Sequence, residues 1–283
     1  MAALGAAPGN ATPIREQIGI AIDGGGVRGA IVAKGLIALE EVLGTRPLIH
    51  DPRLRVLAGT STGSLIVAAL AAGLTGEQIF ELYRRLGREA FSKAGPLRPF
   101  GQRIPLLSRA RLPIGVVRFL QGLPLGVGEL LLYLLMPARY SFDPLRLIIR
   151  QLLDAHPELG PDPTLGELGR YLRTLPGQPA LIITAVEVAA RETRFLKTSA
   201  GGDFERMTLA DALLASSSIP TYFEPIPVPA AEPGRAPTRW LVDGGVGSFG
   251  NPALVVAREM MDARSTAQPY DPAAVTLFSF GTG

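Results

Sequence analysis

The sequence predicts an α/β protein built around a parallel sheet, and two neighbouring stretches carry that prediction. Residues 18–22 are a short β-branched run that stops at glycines, and residues 28–43 then carry apolar side chains at helical spacing. Residues 54–58 and 64–72 repeat the order as an apolar run, a tight glycine turn and an Ala-rich run. This alternation is typical of βαβ units. Both turns therefore fall at carboxyl ends of strands, where open α/β sheets bind their ligands.

The later part of the chain continues the alternation of strands and helices. Asp143-Pro144 is a typical helix start, with an acidic N-cap followed by proline at the first helical position. Thr164 and Glu167 have the spacing of a capping box. Further patterns predict strands at 180–188, 240–242 and 275–280 and a short helix at 208–215. Because no covering helix follows the last strand, we expect the natural chain to continue past Gly283.

The composition predicts one large domain with a well-filled core. Hydrophobic residues make up 47% of the 283 positions and charged residues 19%, which supplies ample core and argues against disorder. We place the domain at residues 18–283, after a flexible arm at residues 1–17. That arm is rich in Ala, Gly and Pro and lacks the pattern of a secretory signal. We therefore expect a cytoplasmic protein.

Charge, cysteine and histidine content narrow the classes of function. The formal net charge is +3, without a dense basic run or basic residues interleaved with aromatics, so we expect no nucleic-acid partner. The chain has no cysteine, which excludes disulfides, thiolate catalysis and cysteine-ligated zinc. Histidine occurs only at His50 and His156. This scarcity limits the bases available to a catalytic site.

Residues 59–63, Gly-Thr-Ser-Thr-Gly, match the G-x-S-x-G pattern of a nucleophile elbow. A serine between a strand and a helix needs a sharp, strained turn to expose its hydroxyl, and flanking glycines relieve the crowding. The following helix directs N–H groups and a partial positive charge at that serine. Because the flanking runs supply this context, Ser61 is the candidate nucleophile. An ordinary strand–helix turn is the alternative.

The glycine loop at residues 24–29 has two interpretations. It fits the G-x-G-x-x-G fingerprint of a dinucleotide site, but that site needs an acidic residue at the end of the next strand, which here ends in Ala58-Gly59. The favoured alternative is an oxyanion hole built from backbone N–H groups that face Ser61. The candidate oxyanion and substrate-binding residues are Gly24, Gly25, Gly26, Arg28 and Thr62.

A serine nucleophile needs a base, and neither histidine is well placed to act as one. His50 precedes the second strand and so lies at the opposite end of the sheet, roughly 15 Å from the elbow at about 3.3 Å per residue. His156 follows a predicted helix. Asp243 instead ends a strand and precedes two glycines, and an apolar site would raise its pKa to suit a base. We predict that Asp243 activates Ser61, although a tight turn alone also explains Asp-Gly-Gly.

A long apolar stretch interrupts the middle of the chain at about residues 104–139. Residues 119–138 carry only Glu129 as a charged side chain, and arginines lie just before them. The length permits a membrane span of ~20 residues, but glycines and a proline break it. A core helix is a second alternative. We favour a lid or membrane-docking segment, which predicts a peripheral membrane contact.

Several ordered motifs in this chain resemble those of the patatin-like phospholipases. They are a D-G-G-G-x-R-G loop at residues 23–29, the G-T-S-T-G elbow and a later D-G-G at residues 243–245. Further stretches agree: A-S-S-S-I-P-T-Y-F at 215–223, Asn251-Pro252, and S-F-G-T-G at 279–283. Together they extend the resemblance over residues 18–283.

The resemblance implies a three-layer α/β/α sandwich with a mostly parallel central sheet. It also implies a Ser61–Asp243 dyad that works without histidine, metal or any other cofactor, with the Gly24–Gly26 and Arg28 loop at the oxyanion. The implied activity is hydrolysis of acyl esters in phospholipids and neutral lipids, for which we expect an acyl-enzyme intermediate. Two alternatives remain open: a nucleotide-binding α/β protein that uses the Gly24–Gly29 loop, and a non-catalytic lipid-binding protein.

Overall fold

The computed structural model describes most of the chain around one central sheet. The described residues are 14–89, 142–154, 159–199, 203–220, 222–230, 237–262 and 269–282. Most of the predicted N-terminal arm, the apolar stretch at 104–139 and His156 lie outside them. In the part of the chain that is described, no helix has the length and apolar character needed to cross a bilayer.

A seven-stranded mixed sheet forms the centre of the fold. Its strands are β1 Gln17–Ile22, β2 Leu54–Thr60, β3 Ala180–Glu187, β4 Glu192–Lys197, β5 Ile226–Pro227, β6 Trp240–Asp243 and β7 Val275–Phe280. They lie in the order β5-β6-β3-β2-β1-β7, with β4 on the free edge of β3. Four strands, β7, β1, β2 and β3, are parallel, and β4, β5 and β6 join in antiparallel pairs.

The described residues form seven helices. They are α1 Gly29–Leu43, α2 Thr62–Ala71, α3 Gly76–Glu89, α4 Asp143–Asp154, α5 Leu165–Leu172, α6 Leu209–Ser216 and α7 Ala253–Met261. The predicted capping box is present at the start of α5, where Thr164 and Glu167 each bond the other's backbone N–H. The predicted helices and strands named above are confirmed within about two residues at their ends.

Two apolar clusters cover the two faces of the sheet. The larger contains Ile20, Ile22 and Leu57 and packs against α1, α2, α5 and α6. The smaller contains Ala21, Val56 and Ala58 and packs against α7 through Val255, Val256 and Met260. Successive side chains of a strand point to opposite faces, so β1 and β2 supply both clusters. This arrangement confirms the predicted three-layer α/β/α sandwich.

The edge of β3 brings two distant strands together end to end. The last pair between β2 and β3 is Thr60 opposite Thr184. The next residue of β3, Ala185, lies opposite Asp243 of β6. Both lie on the same edge, because β4 occupies the other edge of β3. Since β6 runs antiparallel, its carboxyl end points toward the carboxyl end of β2. The two strand ends therefore meet one residue apart along β3.

Candidate active site

Ser61 lies in a sharp turn between β2 and α2. Its backbone has φ 52° and ψ −122°, a left-handed conformation that is rare for residues with a side chain and costs conformational energy. A side chain at Gly59 would overlap the Gly63 carbonyl, and one at Gly63 would overlap the Ile22 carbonyl. The two outer positions of the G-x-S-x-G pattern therefore have to be glycine, because the turn passes too close to its own backbone and to β1.

The hydroxyl of Ser61 contacts a carboxylate from a distant part of the chain. Its Oγ donates a hydrogen bond to Asp243 Oδ2 at 2.8 Å. The other carboxylate oxygen, Oδ1, accepts from the Gly245 amide at 2.6 Å. The meeting of β2 and β6 on the edge of β3 accounts for this contact. The structure thus brings together the two residues that the sequence singled out as nucleophile and base.

Asp243 is buried and has no cationic partner among the described residues. Its exposed fraction is 4%. Burial raises the pKa of its carboxyl group above the ordinary value, and the hydrogen bonds from Ser61 and Gly245 lower it in part. No lysine, arginine or histidine of the described residues forms an ion pair with it. A carboxylate in this setting accepts a proton more readily than one in water.

The glycine loop lies beside Ser61, but one of its amides is already engaged. The Gly24 N–H donates to the Gly250 carbonyl at 3.2 Å, and the oxyanion role predicted for Gly24 stays a prediction. A side chain at Gly24 would lie 3.2 Å from the Ser61 Cβ, so the glycine keeps space beside the hydroxyl. Gly25 and Gly26 are exposed, and their amides have no protein acceptor among the described residues.

Arg28 and Thr62 complete the set of residues named from the sequence. Arg28 is exposed and ends the short 3-10 turn between the glycine loop and α1. Thr62 is the first residue of α2, directly after Ser61. The first N–H groups of a helix have no acceptor within it, and they carry the positive end of the helix dipole. The Thr62 amide therefore remains a candidate donor next to the hydroxyl.

The one histidine that the structure describes lies away from this site. His50 is exposed and belongs to the 3-10 turn Leu48–His50, which precedes β2, whereas Ser61 follows that strand. No group of three metal-binding side chains occurs among the described residues.

Comparison with known proteins identifies the family of this chain. The family described as patatin-like phospholipase matches residues 20–257, a range that includes the glycine loop, the elbow and Asp243. The chain belongs to the patatin-like phospholipase family. The predicted resemblance and the predicted fold class are both confirmed.

Individual relatives of this patatin-like chain are distant or match only in part. An intracellular phospholipase A2 of Caenorhabditis elegans is 40% identical over 80 residues, which are 27% of this chain and 7% of the relative. A cGAMP-activated phospholipase of Escherichia coli (strain TW11681) is 24% identical over 213 residues, 73% of this chain and 47% of the relative. The structure of VipD from Legionella pneumophila is 16% identical in sequence, with a TM-score of 0.46. The match covers 94% of this chain and 49% of the VipD chain. The match therefore spans less than half of each relative.

Three serines that sequence reasoning left without a role surround Ser61 and Asp243. Ser216 Oγ accepts the Ser61 N–H at 2.8 Å, and Ser64 Oγ donates to the Ser61 carbonyl at 2.5 Å. The Ser218 carbonyl accepts the Asp243 N–H at 2.9 Å. The run A-S-S-S-I-P was visible in the sequence as part of the family resemblance. Its pairing with the elbow depends on the tertiary fold and has no local signal.

Proposed function

We propose that this chain hydrolyses carboxylic esters of lipids, with Ser61 as nucleophile and Asp243 as its base. The single observation that carries the proposal is the hydrogen bond of 2.8 Å from Ser61 Oγ to a buried carboxylate. Burial raises the pKa of Asp243, and a base is most effective when its pKa approaches the working pH.

The first half of the reaction forms an acyl-enzyme. The Ser61 hydroxyl proton passes to Asp243 Oδ2 as Oγ attacks the ester carbonyl carbon, and the carbonyl oxygen becomes an oxyanion. Collapse of this tetrahedral intermediate breaks the ester C–O bond, and the protonated Asp243 returns the proton to the leaving alcohol. The products of this half-reaction are the free alcohol and an acyl group on Ser61 Oγ.

The second half releases the acid and restores the site. Asp243 takes a proton from water, the resulting hydroxide attacks the acyl carbonyl, and the Ser61–acyl bond breaks. The proton held by Asp243 returns to Ser61 Oγ, and a fatty acid leaves. One water is consumed for each ester cleaved, and the chain is unchanged.

The exposed amides near Ser61 are suited to hold the oxyanion in both halves. Gly25 and Gly26 present N–H groups without a protein acceptor among the described residues, and Thr62 opens α2 beside the nucleophile. Backbone donors of this kind stabilise charge that develops only in the transition state. We therefore assign the oxyanion to Gly25, Gly26 and Thr62, with Gly24 providing space. Arg28, on the exposed end of the loop, is our candidate for contact with an anionic head group.

Lipid esters are the substrate class that family membership supports. Two relatives carry the name phospholipase, and a patatin-like domain is common to the chain and its family. We propose phospholipid or neutral lipid esters on this basis, with contact to a membrane surface. The nucleotide-binding alternative is weakened because one amide of the glycine loop already bonds Gly250, and Ser61 rather than an acidic residue follows β2.

A labelling and kinetic experiment tests the proposal. A fluorophosphonate should label wild-type protein at Ser61, located by peptide mapping, and Ser61→Ala should lose labelling and about 10³-fold or more of its kcat on a soluble short-chain ester. A lipid panel assayed with both proteins then identifies the substrate class. Turnover by Ser61→Ala within tenfold of wild type would refute the proposal, and labelling without turnover of any ester would favour a lipid-binding protein.

A further inference from the structure

The strained turn at Ser61 is held by hydrogen bonds on both sides of the nucleophile's backbone. On the carbonyl side, Ser64 donates to the Ser61 C=O from its hydroxyl at 2.5 Å and from its amide at 2.9 Å. On the amide side, the Ser61 N–H has one acceptor among the described residues, Ser216 Oγ at 2.8 Å. Ser64 and Ser216 are both completely buried. The amide side therefore depends on a single side chain from a distant helix.

We propose that the Ser216 hydroxyl is a positioning group that keeps Ser61 in the left-handed conformation in which its Oγ reaches Asp243. This inference rests on the proposed function of Ser61 and Asp243. Ser216 touches neither the substrate nor the reacting atoms, and it acts only through the Ser61 amide.

The position of Ser61 explains why its N–H needs an acceptor outside the sheet and the helix. Pairing of β2 with β3 ends at Thr60, and pairing of β1 with β2 ends at Gly59, so none of the described strands accepts the Ser61 N–H. The acceptor lies on a completely buried side chain, and an N–H that loses its acceptor in such a place is disfavoured unless another group replaces it. Without the Ser216 hydroxyl, the turn is free to rotate toward an ordinary backbone conformation, which withdraws Oγ from Asp243.

The same short segment also fixes the other member of the dyad. Ser216 ends α6, and two residues later the Ser218 carbonyl accepts the Asp243 N–H at 2.9 Å. The Ser218 hydroxyl donates to the Glu224 carbonyl at 2.6 Å and secures the chain beyond it. Ser61 and Asp243 are thus each tied to one short stretch of backbone, which sets the separation between them.

Ser217 provides a matched control within this stretch. It is 9% exposed, and its hydroxyl oxygen is buried without a hydrogen-bond partner among the described residues. The neighbouring serine therefore has the same size and chemistry as Ser216, but its hydroxyl forms no hydrogen bond to the nucleophile. Ser217→Ala removes a buried hydroxyl next to the site and leaves the Ser61 N–H bonded.

The test compares Ser216→Ala with Ser217→Ala in steady-state kinetics on a soluble short-chain ester, over a range of pH. For Ser216→Ala we expect kcat to fall about 10- to 100-fold with little change in KM, because a misplaced nucleophile costs this much in rate. We also expect the acid limb of kcat/KM to move to higher pH. The Ser61 hydrogen bond lowers the pKa of Asp243, so lengthening that bond raises this pKa. Ser217→Ala should match wild type in kcat and in pH profile.

Concentrations in this test are those of active sites counted by fluorophosphonate labelling, so unfolded protein does not affect the rates. If Ser216→Ala does not fold, Ser216→Cys, which keeps a weaker acceptor of similar size, decides the question by the same two measurements. Wild-type kcat and pH profile in Ser216→Ala, or an equal loss in Ser217→Ala, would overturn the inference. Full activity in Ser61→Ala would instead overturn the proposed function, so the two failures are distinguishable.

Discussion

Two buried aspartates lie near opposite ends of β2, and their partners differ. Asp51, which precedes the strand, is 1% exposed, and Asp243, beside its carboxyl end, is 4% exposed. Asp51 accepts three hydrogen bonds from Arg53, from the backbone N–H at 2.8 Å, Nε at 3.0 Å and Nη2 at 2.7 Å. Asp243 accepts one from a hydroxyl and one from an amide, at 2.8 Å and 2.6 Å.

The partners of the two carboxylates give their pKa values opposite shifts. Burial raises the pKa of Asp51, but hydrogen bonds from Arg53 and the guanidinium charge outweigh burial, so the net shift is downward. Burial raises the pKa of Asp243, and its two neutral partners only partly offset it. Burial alone therefore does not mark a catalytic carboxylate. A buried carboxylate without a cation beside it, in contact with a hydroxyl, is the one poised to accept a proton.

The largest difference between the two aspartates should appear in turnover. Asp243→Asn should lower kcat on a soluble ester by about 10³-fold or more, because an amide does not accept the Ser61 proton. The matched Asp51→Asn variant should keep the kcat of the folded enzyme within about twofold. Both kcat values are expressed per active site. Active sites are counted by fluorophosphonate labelling where the variant still reacts with the probe, and by the amount of folded protein where it does not. An Asp243→Asn enzyme with more than a tenth of wild-type kcat would show that another group is the base.

The two variants should rank in the opposite order for stability, with the larger loss in Asp51→Asn. Asp51→Asn removes the charge that holds the Arg53 guanidinium and should lower the free energy of unfolding at pH 7 by about 2 kcal/mol. Asp243→Asn removes a buried ionised carboxylate that has no cation beside it. The free energy of unfolding should therefore stay the same or rise. Urea unfolding of both variants measures the difference. A larger loss in Asp243→Asn than in Asp51→Asn would assign Asp243 a structural role.

Much of the candidate site was predictable because its signals are local. The spacing of Gly59, Ser61 and Gly63 reflects how closely the turn approaches itself and β1. Because it appears as a pattern of five consecutive residues, the elbow could be recognised without a fold. Asp243 was predicted from a strand followed by two glycines and from the shortage of histidine. Its prediction assumed a carboxyl strand end at the common rim of the sheet. Asp243 does lie beside the end of β2, but not because β6 is a parallel strand. β6 is antiparallel and meets β2 end to end on the edge of β3.

The features that sequence reasoning missed depend on contacts between distant segments. The bond from the Gly24 amide to the Gly250 carbonyl engages a predicted oxyanion donor, and no pattern near Gly24 indicates it. Strand β4 was not predicted, because its residues, Glu192–Lys197, are mostly charged or polar and lie on the free edge of β3. Ser216 follows the predicted helix at 208–215, and only the family resemblance drew attention to it. The apolar stretch at residues 104–139 lies outside the described residues, so its role as a lid or docking segment stays a prediction.

The smallest and most discriminating difference between the two aspartates is how their contributions to the free energy of unfolding change with pH. Asp243 has a raised folded-state pKa, so its contribution to stability is fully present below the ordinary value of 3.8 and is lost as pH rises through the raised pKa. Asp51 has a lowered pKa, so its contribution is present above 3.8 and is lost as pH falls through the lowered pKa. Relative to wild type, Asp243→Asn should therefore gain stability from acid to neutral pH, whereas Asp51→Asn should lose it. Unfolding free energies of the three proteins between about pH 3 and pH 7 measure both slopes, and slopes of the same sign would contradict the assignment of one aspartate to proton transfer and the other to the fold.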